Sequence, residues 1–227
     1  MKWLSALLVS ASLFTLPAAA DETAAAPAEV ATYAITFAST WSEATHPGFP
    51  PGAHFSPLIG ATHNVSATFW LSGTLASPGM ERMAETGATM LLADEFTAAG
   101  SAVHAIIAGP GLGASPGQVS LPFVTASRTH PLVMLVTMIA PSPDWFVGVE
   151  GLSLLDETGD WRDQIVVALY PYDAGTDDGV AYTSPDSEPD VHQPVSQVSG
   201  SAPFSAAPIG ILTFTRIRQI YMPIVTQ

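Results

Sequence analysis

The 227-residue sequence contains no cysteine and only six lysine or arginine residues. Without cysteine the protein can form no disulfide, no thiolate zinc site and no cysteine nucleophile. Against the six basic residues stand 20 aspartates and glutamates, which give a formal net charge of −14. So acidic a chain lacks the basic surface needed to bind nucleic acid or to rest constitutively on an anionic membrane.

Charged residues are scarce overall, at 11%, whereas hydrophobic residues make up 48%. This balance can build a hydrophobic core, and the length suits one domain or two small ones. Proline (20) and glycine (18) are frequent. Because surface helices normally use lysine and glutamate freely, this composition favours a β protein rich in turns.

The first 20 residues have the pattern of a secretory signal peptide. Lys2 precedes an apolar run over 3–16, and three alanines follow a proline at the end. The alternative is a membrane anchor, but the run is shorter than the roughly 20 residues that span a bilayer. We therefore predict cleavage before Asp21, a flexible leader over 21–30, and a secreted or periplasmic protein.

Alternating or continuous apolar stretches predict about eight β-strands. Turn residues bound them at regular spacing, which is typical of an antiparallel β-sandwich or barrel. One or two short helices are predicted within 78–100, where Gly87 breaks the pattern and the methionines are expected to pack mainly in the core. A long loop is predicted over 42–58. The predicted strands are 31–39, 64–71, 103–108, 119–125, 132–140, 145–154, 164–170 and 211–217.

Histidines offer one candidate site. His46, His54 and His63 lie eight or nine residues apart in a loop-rich region and could converge on a metal ion. A structural role, with each ring hydrogen-bonded, is the favoured interpretation. The sequence has neither a HExxH zinc motif nor a GxSxG nucleophile elbow, so a hydrolase lacks a recognisable catalytic motif.

Acidic residues offer the stronger candidate. Twelve of the 20 lie between Asp144 and Asp190. Asp144 follows a proline turn, and Asp173, Asp177 and Asp178 lie in a glycine-containing loop. Carboxylates on neighbouring loops are ligands that Ca²⁺ prefers, although aspartate is also common in turns because it bonds to nearby backbone. The residues by themselves leave both interpretations open.

Several literal runs resemble the spondin N-terminal domain family, of the F-spondin/mindin type. The resemblance extends from Tyr33 to about Arg218. The matching runs are YAITF (33–37), WSEATHP (41–47), HFSPLIGATH (54–63), SRTH (127–130), PSPDWFVG (141–148) and LYPYDAGTD (169–177).

The resemblance implies an all-β fold, an antiparallel sandwich similar to C2 domains, over residues 31–220 with a tail over 221–227. It also implies a bound divalent cation, most simply Ca²⁺, held by Asp144, Asp173 and Asp177. Asp178 is a possible additional ligand. Relatives in this family act in cell adhesion, which implies a non-catalytic recognition domain whose partner is a surface protein or a glycan.

Three other functions stay open at this point. The domain could be a structural envelope protein in which the metal ion only stabilises the fold. It could be a metal-dependent hydrolase, although no motif supports one. It could also dock on phospholipid in a Ca²⁺-dependent manner, as C2 domains do, although its loops offer few basic residues.

Overall fold

The computed structural model describes residues 29–218. These residues form two β-sheets and a pair of short helices, joined by loops. The predicted signal peptide, the leader up to residue 28 and the predicted tail lie outside these residues. The helices are α1 (Pro78–Thr86) and α2 (Met90–Ala98). The strands are β1 (Val30–Ser39), β2 (His54–Phe55), β3 (Ile59–His63), β4 (Val103–Ala108), β5 (Gly117–Ser127), β6 (Leu132–Ala140), β7 (Trp145–Ser153), β8 (Gln164–Leu169), β9 (Tyr172–Asp173), β10 (Ser196–Gln197) and β11 (Gly210–Ile217).

All strand pairs are antiparallel. The smaller sheet has the order β5-β1-β11-β8, and the larger has the order β10-β9-β7-β6-β3-β4 with β2 added to β6. Eight strands are longer than two residues, which agrees with the predicted number, and the three two-residue strands are additions. The predicted antiparallel β-sandwich is therefore confirmed.

Two hydrophobic cores lie on opposite faces of the larger sheet. The first fills the space between the sheets, where Tyr33, Ile35 and Phe37 of β1 alternate with partly exposed residues. The second lies between the larger sheet and the helices, and includes Met80, Met83 and Phe96. Because β6 has a core on each face, eight of its nine residues are buried, and its sequence reads as one continuous apolar run.

The helical prediction is confirmed, including the break at Gly87. This glycine adopts a left-handed conformation, with φ of 69°, and ends α1. Ser77 begins α1 by accepting a hydrogen bond from the Met80 amide. Met90, predicted as an apolar helix position, is 80% exposed, so the expectation of core packing is wrong for that methionine.

The predicted strand over 64–71 is wrong. Asn64 starts a turn instead, because its side chain accepts a hydrogen bond from the Ser66 amide at 2.9 Å. Phe69 and Trp70 then pack against the helix-facing core, so their apolar character serves tertiary contact. The strand in this region, β3, precedes the turn.

No helix within residues 29–218 is long and apolar enough to cross a membrane.

Candidate functional site

The predicted acidic residues lie where two strands of the larger sheet meet. Pairing of Trp145 with Asp173 joins the start of β7 to β9. The Ala174 amide donates to the Asp144 carbonyl at 3.2 Å, which extends this pairing into the loops. Strand register therefore brings together carboxylates that are about 30 residues apart in the sequence.

Asp144 is completely buried at the centre of this loop cluster. Its Oδ2 accepts hydrogen bonds from the Thr176 amide at 2.8 Å and the Asp177 amide at 3.2 Å. Its Oδ1 is also buried and has no hydrogen-bond partner. Burial, together with the charge of Asp173, raises the pKa of Asp144 to about 7. The site thus holds a carboxylate oxygen that lacks a partner.

Asp173 is fixed by both of its carboxylate oxygens. Oδ1 accepts from the Gly175 amide at 2.8 Å, and Oδ2 accepts from Trp145 Nε1 at 3.1 Å. The Trp145 ring itself packs among Tyr182 and Phe204 in the core between the sheets. Burial raises the pKa of Asp173 despite these hydrogen bonds. The indole therefore anchors one carboxylate of the loop cluster to the core.

The loop after β9 turns tightly at Gly175. Its φ is +75°, and a Cβ atom there would lie 2.1 Å from the Gln193 carbonyl oxygen, so only glycine fits. Asp177 follows, is 8% exposed, and accepts from the Gly179 amide through Oδ1 at 2.7 Å. Asp178 is exposed. The three predicted principal ligands are thus buried or half-buried, and the possible fourth faces solvent.

These carboxylates are neighbours without forming a closed set of metal ligands. Charge on Asp173 and on Asp177 raises the pKa of Asp144, so the three groups interact electrostatically. Yet residues 29–218 contain no group of three histidine, aspartate or glutamate side chains positioned to hold one metal ion. Asp173 and Asp177 each accept a hydrogen bond from an amide of their own loop instead.

The comparisons with known proteins identify the family. Residues 31–208 match the family model described as Spondin_N. The chain belongs to this family. The resemblance inferred from the literal runs is therefore confirmed.

Relatives of this Spondin_N chain include vertebrate spondins. Spondin-2 of Rattus norvegicus is 37% identical over 209 residues, which cover 84% of this chain and 63% of the relative. Spondin-2 of Homo sapiens is 38% identical over 210 residues, covering 84% and 62%. Spondin-1 of Rattus norvegicus is 35% identical over 162 residues, covering 68% and 20%. The chain spans somewhat less than two thirds of the length of these spondin-2 proteins.

One acidic residue beside the loops was not singled out from the sequence. Glu85 of α1 interacts with Thr176 and with the charge of Asp177, and burial raises its pKa. It lines a polar cavity of about 350 Å³ together with Arg82 and Asp177. Its position in the Spondin_N fold depends on how α1 packs over the larger sheet, and no local sequence signal marks it.

The three histidines of the other candidate site have separate partners. His46 is buried and its Nδ1 accepts from the Ser205 amide at 3.1 Å. His54 Nδ1 lies 2.8 Å from the Gly52 carbonyl, and His63 Nδ1 lies 3.0 Å from the Asn64 carbonyl. They do not form a common metal-binding group within residues 29–218. Each ring has a hydrogen-bonding contact through Nδ1, whereas the Nε2 atoms of His46 and His63 are buried without a hydrogen-bond partner.

Proposed function

We propose that the protein is a secreted or periplasmic, non-catalytic recognition domain of adhesion type, and that its acidic loops bind Ca²⁺ through Asp144, Asp173 and Asp177. Asp178 would join them as a solvent-facing ligand. The recognised partner would be a surface protein or a glycan. The observation that carries the calcium proposal is the completely buried Asp144 carboxylate, whose Oδ1 has no hydrogen-bond partner.

The donor atoms fit a hard cation. The loops offer carboxylate oxygens and backbone carbonyls but no thiolate and no grouped imidazoles, which is the chemistry that Ca²⁺ prefers. Burial, and after it the charges of neighbouring aspartates, raises the pKa values of Asp144 and Asp173. A bound ion would satisfy Asp144 Oδ1 and compensate both effects by favouring the charged carboxylates. Asp173 and Asp177 would have to turn an oxygen from their loop amides toward the ion.

The recognition role rests on family membership and on the surface around these loops. Six of the acidic residues lie within 173–190. A cation there would reduce the negative potential and order the loops for contact with a partner. The secreted or periplasmic location rests on the signal-peptide pattern of residues 1–20.

The direct experiment is calorimetric titration of Ca²⁺ into chelator-treated protein lacking residues 1–20, with Mg²⁺ in a parallel titration. We expect saturable binding at one site with Ca²⁺ preferred. Asp144→Asn should abolish or greatly weaken that binding. Asp160→Asn is the matched control, because it removes one exposed carboxylate from the loop beyond the other end of β7.

Two results would contradict the calcium proposal. The first is the absence of any saturable heat in the parent protein. The second is equal affinity in the parent and in Asp144→Asn, which would place the bound ion elsewhere. A hydrolytic activity that depends on Asp144 would contradict the non-catalytic part of the proposal.

A further inference from the structure

A groove of about 560 Å³ lies at one side of the sandwich and is lined by none of the predicted calcium ligands. It follows β7 from Gly148 to Ser153 and reaches β8, the edge strand of the smaller sheet. Trp70, Arg162 and two tyrosines also line it. Ligand sites commonly have volumes of about 300–1,000 Å³, so the groove has room for a small organic ligand.

The outer edge of β7 in this groove is not covered by a strand. β9 pairs only with the first two residues of β7, and no other strand within residues 29–218 pairs with that side. Gly148 and Gly151 have no side chains, which lets a ligand approach the backbone closely. The edge is irregular, because the pairing of β7 with β6 shifts register between Val149 and Leu152. It therefore offers hydrogen-bonding groups to a ligand without offering a regular ladder to another strand.

Two side chains in the wall of the groove each have a buried polar atom without a hydrogen-bond partner. These atoms are Trp70 Nε1 and Glu150 Oε2. Trp70 is 6% exposed, and the side chain of Glu150 is 10% exposed. The indole N–H can only donate, whereas a carboxyl oxygen can accept. A hydroxyl group both accepts and donates, so a ligand rich in hydroxyl groups complements both atoms.

Arg162 gives the groove a positive charge that no salt bridge neutralises. Arg128, Arg216 and Arg218 each form a salt bridge with an aspartate, but Arg162 forms none within residues 29–218. Hydrogen bonds within its own turn lower the pKa of Asp156, and the charge of Arg162 lowers it further, although the two side chains form no salt bridge. The guanidinium group is thus available to a ligand.

No ionised acid opposes Arg162 inside the groove in slightly acidic solution. Glu150 is the only acidic residue among the described residues that line it. Burial raises the pKa of Glu150 to about 7, so at pH 6 this side chain is mostly neutral. Arg82, which also forms no salt bridge within residues 29–218, instead shares its cavity with three acidic residues, including Asp177. In a protein with a net charge of −14, the groove is therefore a favourable place for an anionic group.

We propose that this groove binds an oligosaccharide that carries carboxylate groups, of the uronic acid type. A carboxylate has one charge and two coplanar oxygens, which match a single guanidinium group, here that of Arg162. Tyr170 and Tyr172 are partly exposed in the groove, and their rings would contact the apolar faces of the sugars. Sugar hydroxyls would bond to the β7 edge, to Trp70 Nε1 and to Glu150.

This inference rests on the recognition role proposed above and narrows its partner to a glycan, but it does not depend on calcium. An extended acidic peptide is the alternative occupant. The irregular β7 edge disfavours a peptide, because strand addition needs a regular series of hydrogen-bonding groups. The two unpartnered buried atoms favour hydroxyl groups instead.

The test is calorimetric titration of galacturonate and mannuronate trimers into the protein lacking residues 1–20, at pH 6 in chelator. The methyl-esterified galacturonate trimer is the neutral match. We expect saturable binding of at least one acidic trimer with a Kd of about 1 mM or below. Arg162→Gln should weaken this binding at least about tenfold, because it removes a charge-assisted hydrogen bond. Arg82→Gln makes the same change in net charge on α1 and should leave the affinity unchanged.

Each result decides the proposal. The absence of saturable binding overturns it, and so does equal affinity for the methyl-esterified trimer or equal weakening by both arginine variants. If Arg162→Gln lowers the melting temperature, Tyr170→Leu supplies the second test, and binding that this variant leaves intact would place the sugar elsewhere. Binding of a glutamate-rich peptide in place of the trimers would assign the groove to a protein partner. Because chelator is present, failure here is distinct from failure of the Ca²⁺ titration, which would overturn the calcium site alone.

Discussion

Glu150 of β7 is a buried carboxyl whose replacement should make the protein more stable at alkaline pH only. Its side chain is 10% exposed, its Oε1 accepts from the Phe69 amide at 3.3 Å, and its Oε2 has no hydrogen-bond partner. His63 Nε2 lies 3.8 Å away, and burial lowers the pKa of that histidine. Burial raises the pKa of Glu150 to about 7, so both groups favour their neutral forms.

The magnitude follows from linkage between protonation and folding. Because the pKa of Glu150 rises from an ordinary 4.5 to about 7, the folded state binds more protons than the unfolded state between these values. The free energy of unfolding therefore falls as pH rises through this window, by up to about 3 kcal/mol. Glu150→Gln removes this loss and keeps an acceptor for the Phe69 amide. Its NH2 group has two N–H donors where protonated Glu150 has one O–H, so one additional buried donor lacks a partner, at a cost of about 1 kcal/mol at every pH.

Urea unfolding in chelator at pH 4 and pH 8 measures this difference. We expect Glu150→Gln to be about 1 kcal/mol less stable than the parent at pH 4, below the window, and about 2 kcal/mol more stable at pH 8. Glu157→Gln, which alters an exposed carboxylate, should show no such change of sign. The reasoning is refuted if the difference between Glu150→Gln and the parent is the same at both pH values.

Three further predictions concern the acidic loops. If the calcium proposal is correct, saturating Ca²⁺ raises the melting temperature of the parent in differential scanning calorimetry, and leaves that of Asp144→Asn unchanged. Trp145→Phe should keep the ring packing against Phe204 while removing the hydrogen bond to Asp173. We therefore expect weaker Ca²⁺ binding by calorimetry and a loss of about 1 kcal/mol in the free energy of unfolding measured with urea. An unchanged Ca²⁺ affinity would exclude the indole as a positioning group. Gly175→Ala places a Cβ atom against the Gln193 carbonyl at a residue with positive φ. It should therefore lower the free energy of unfolding of the metal-free protein, measured with urea, by about 1–3 kcal/mol. A variant as stable as the parent would show that the loop can relax.

Much of the strand content could be predicted from local pattern. The alternation in β1 reflects one covered face, and the continuous apolar run of β6 reflects two. Both strands lie where their local patterns predict them. The division of the helical segment at Gly87 follows from the local conformational freedom of glycine. The strand prediction for 64–71 is wrong because apolar residues in a turn can have the same spacing as those in a strand when they pack onto another layer. The prediction that Met90 packs in the core is wrong because helical periodicity does not say which face of a short helix is buried.

The sequence by itself determined the class of the fold, the family and the acidic character of two loops, because these depend on residue type and order along the chain. Only the tertiary structure decided what surrounds each carboxylate. Strand pairing between β7 and β9 brings Asp144 beside Asp173, and the packing of α1 adds Glu85 to the same region. Burial raises the pKa of Asp144, and so do the charges of Asp173 and Asp177, which lie about 30 residues further along the chain. No local pattern encodes this proximity, because it is set by the order and register of the strands.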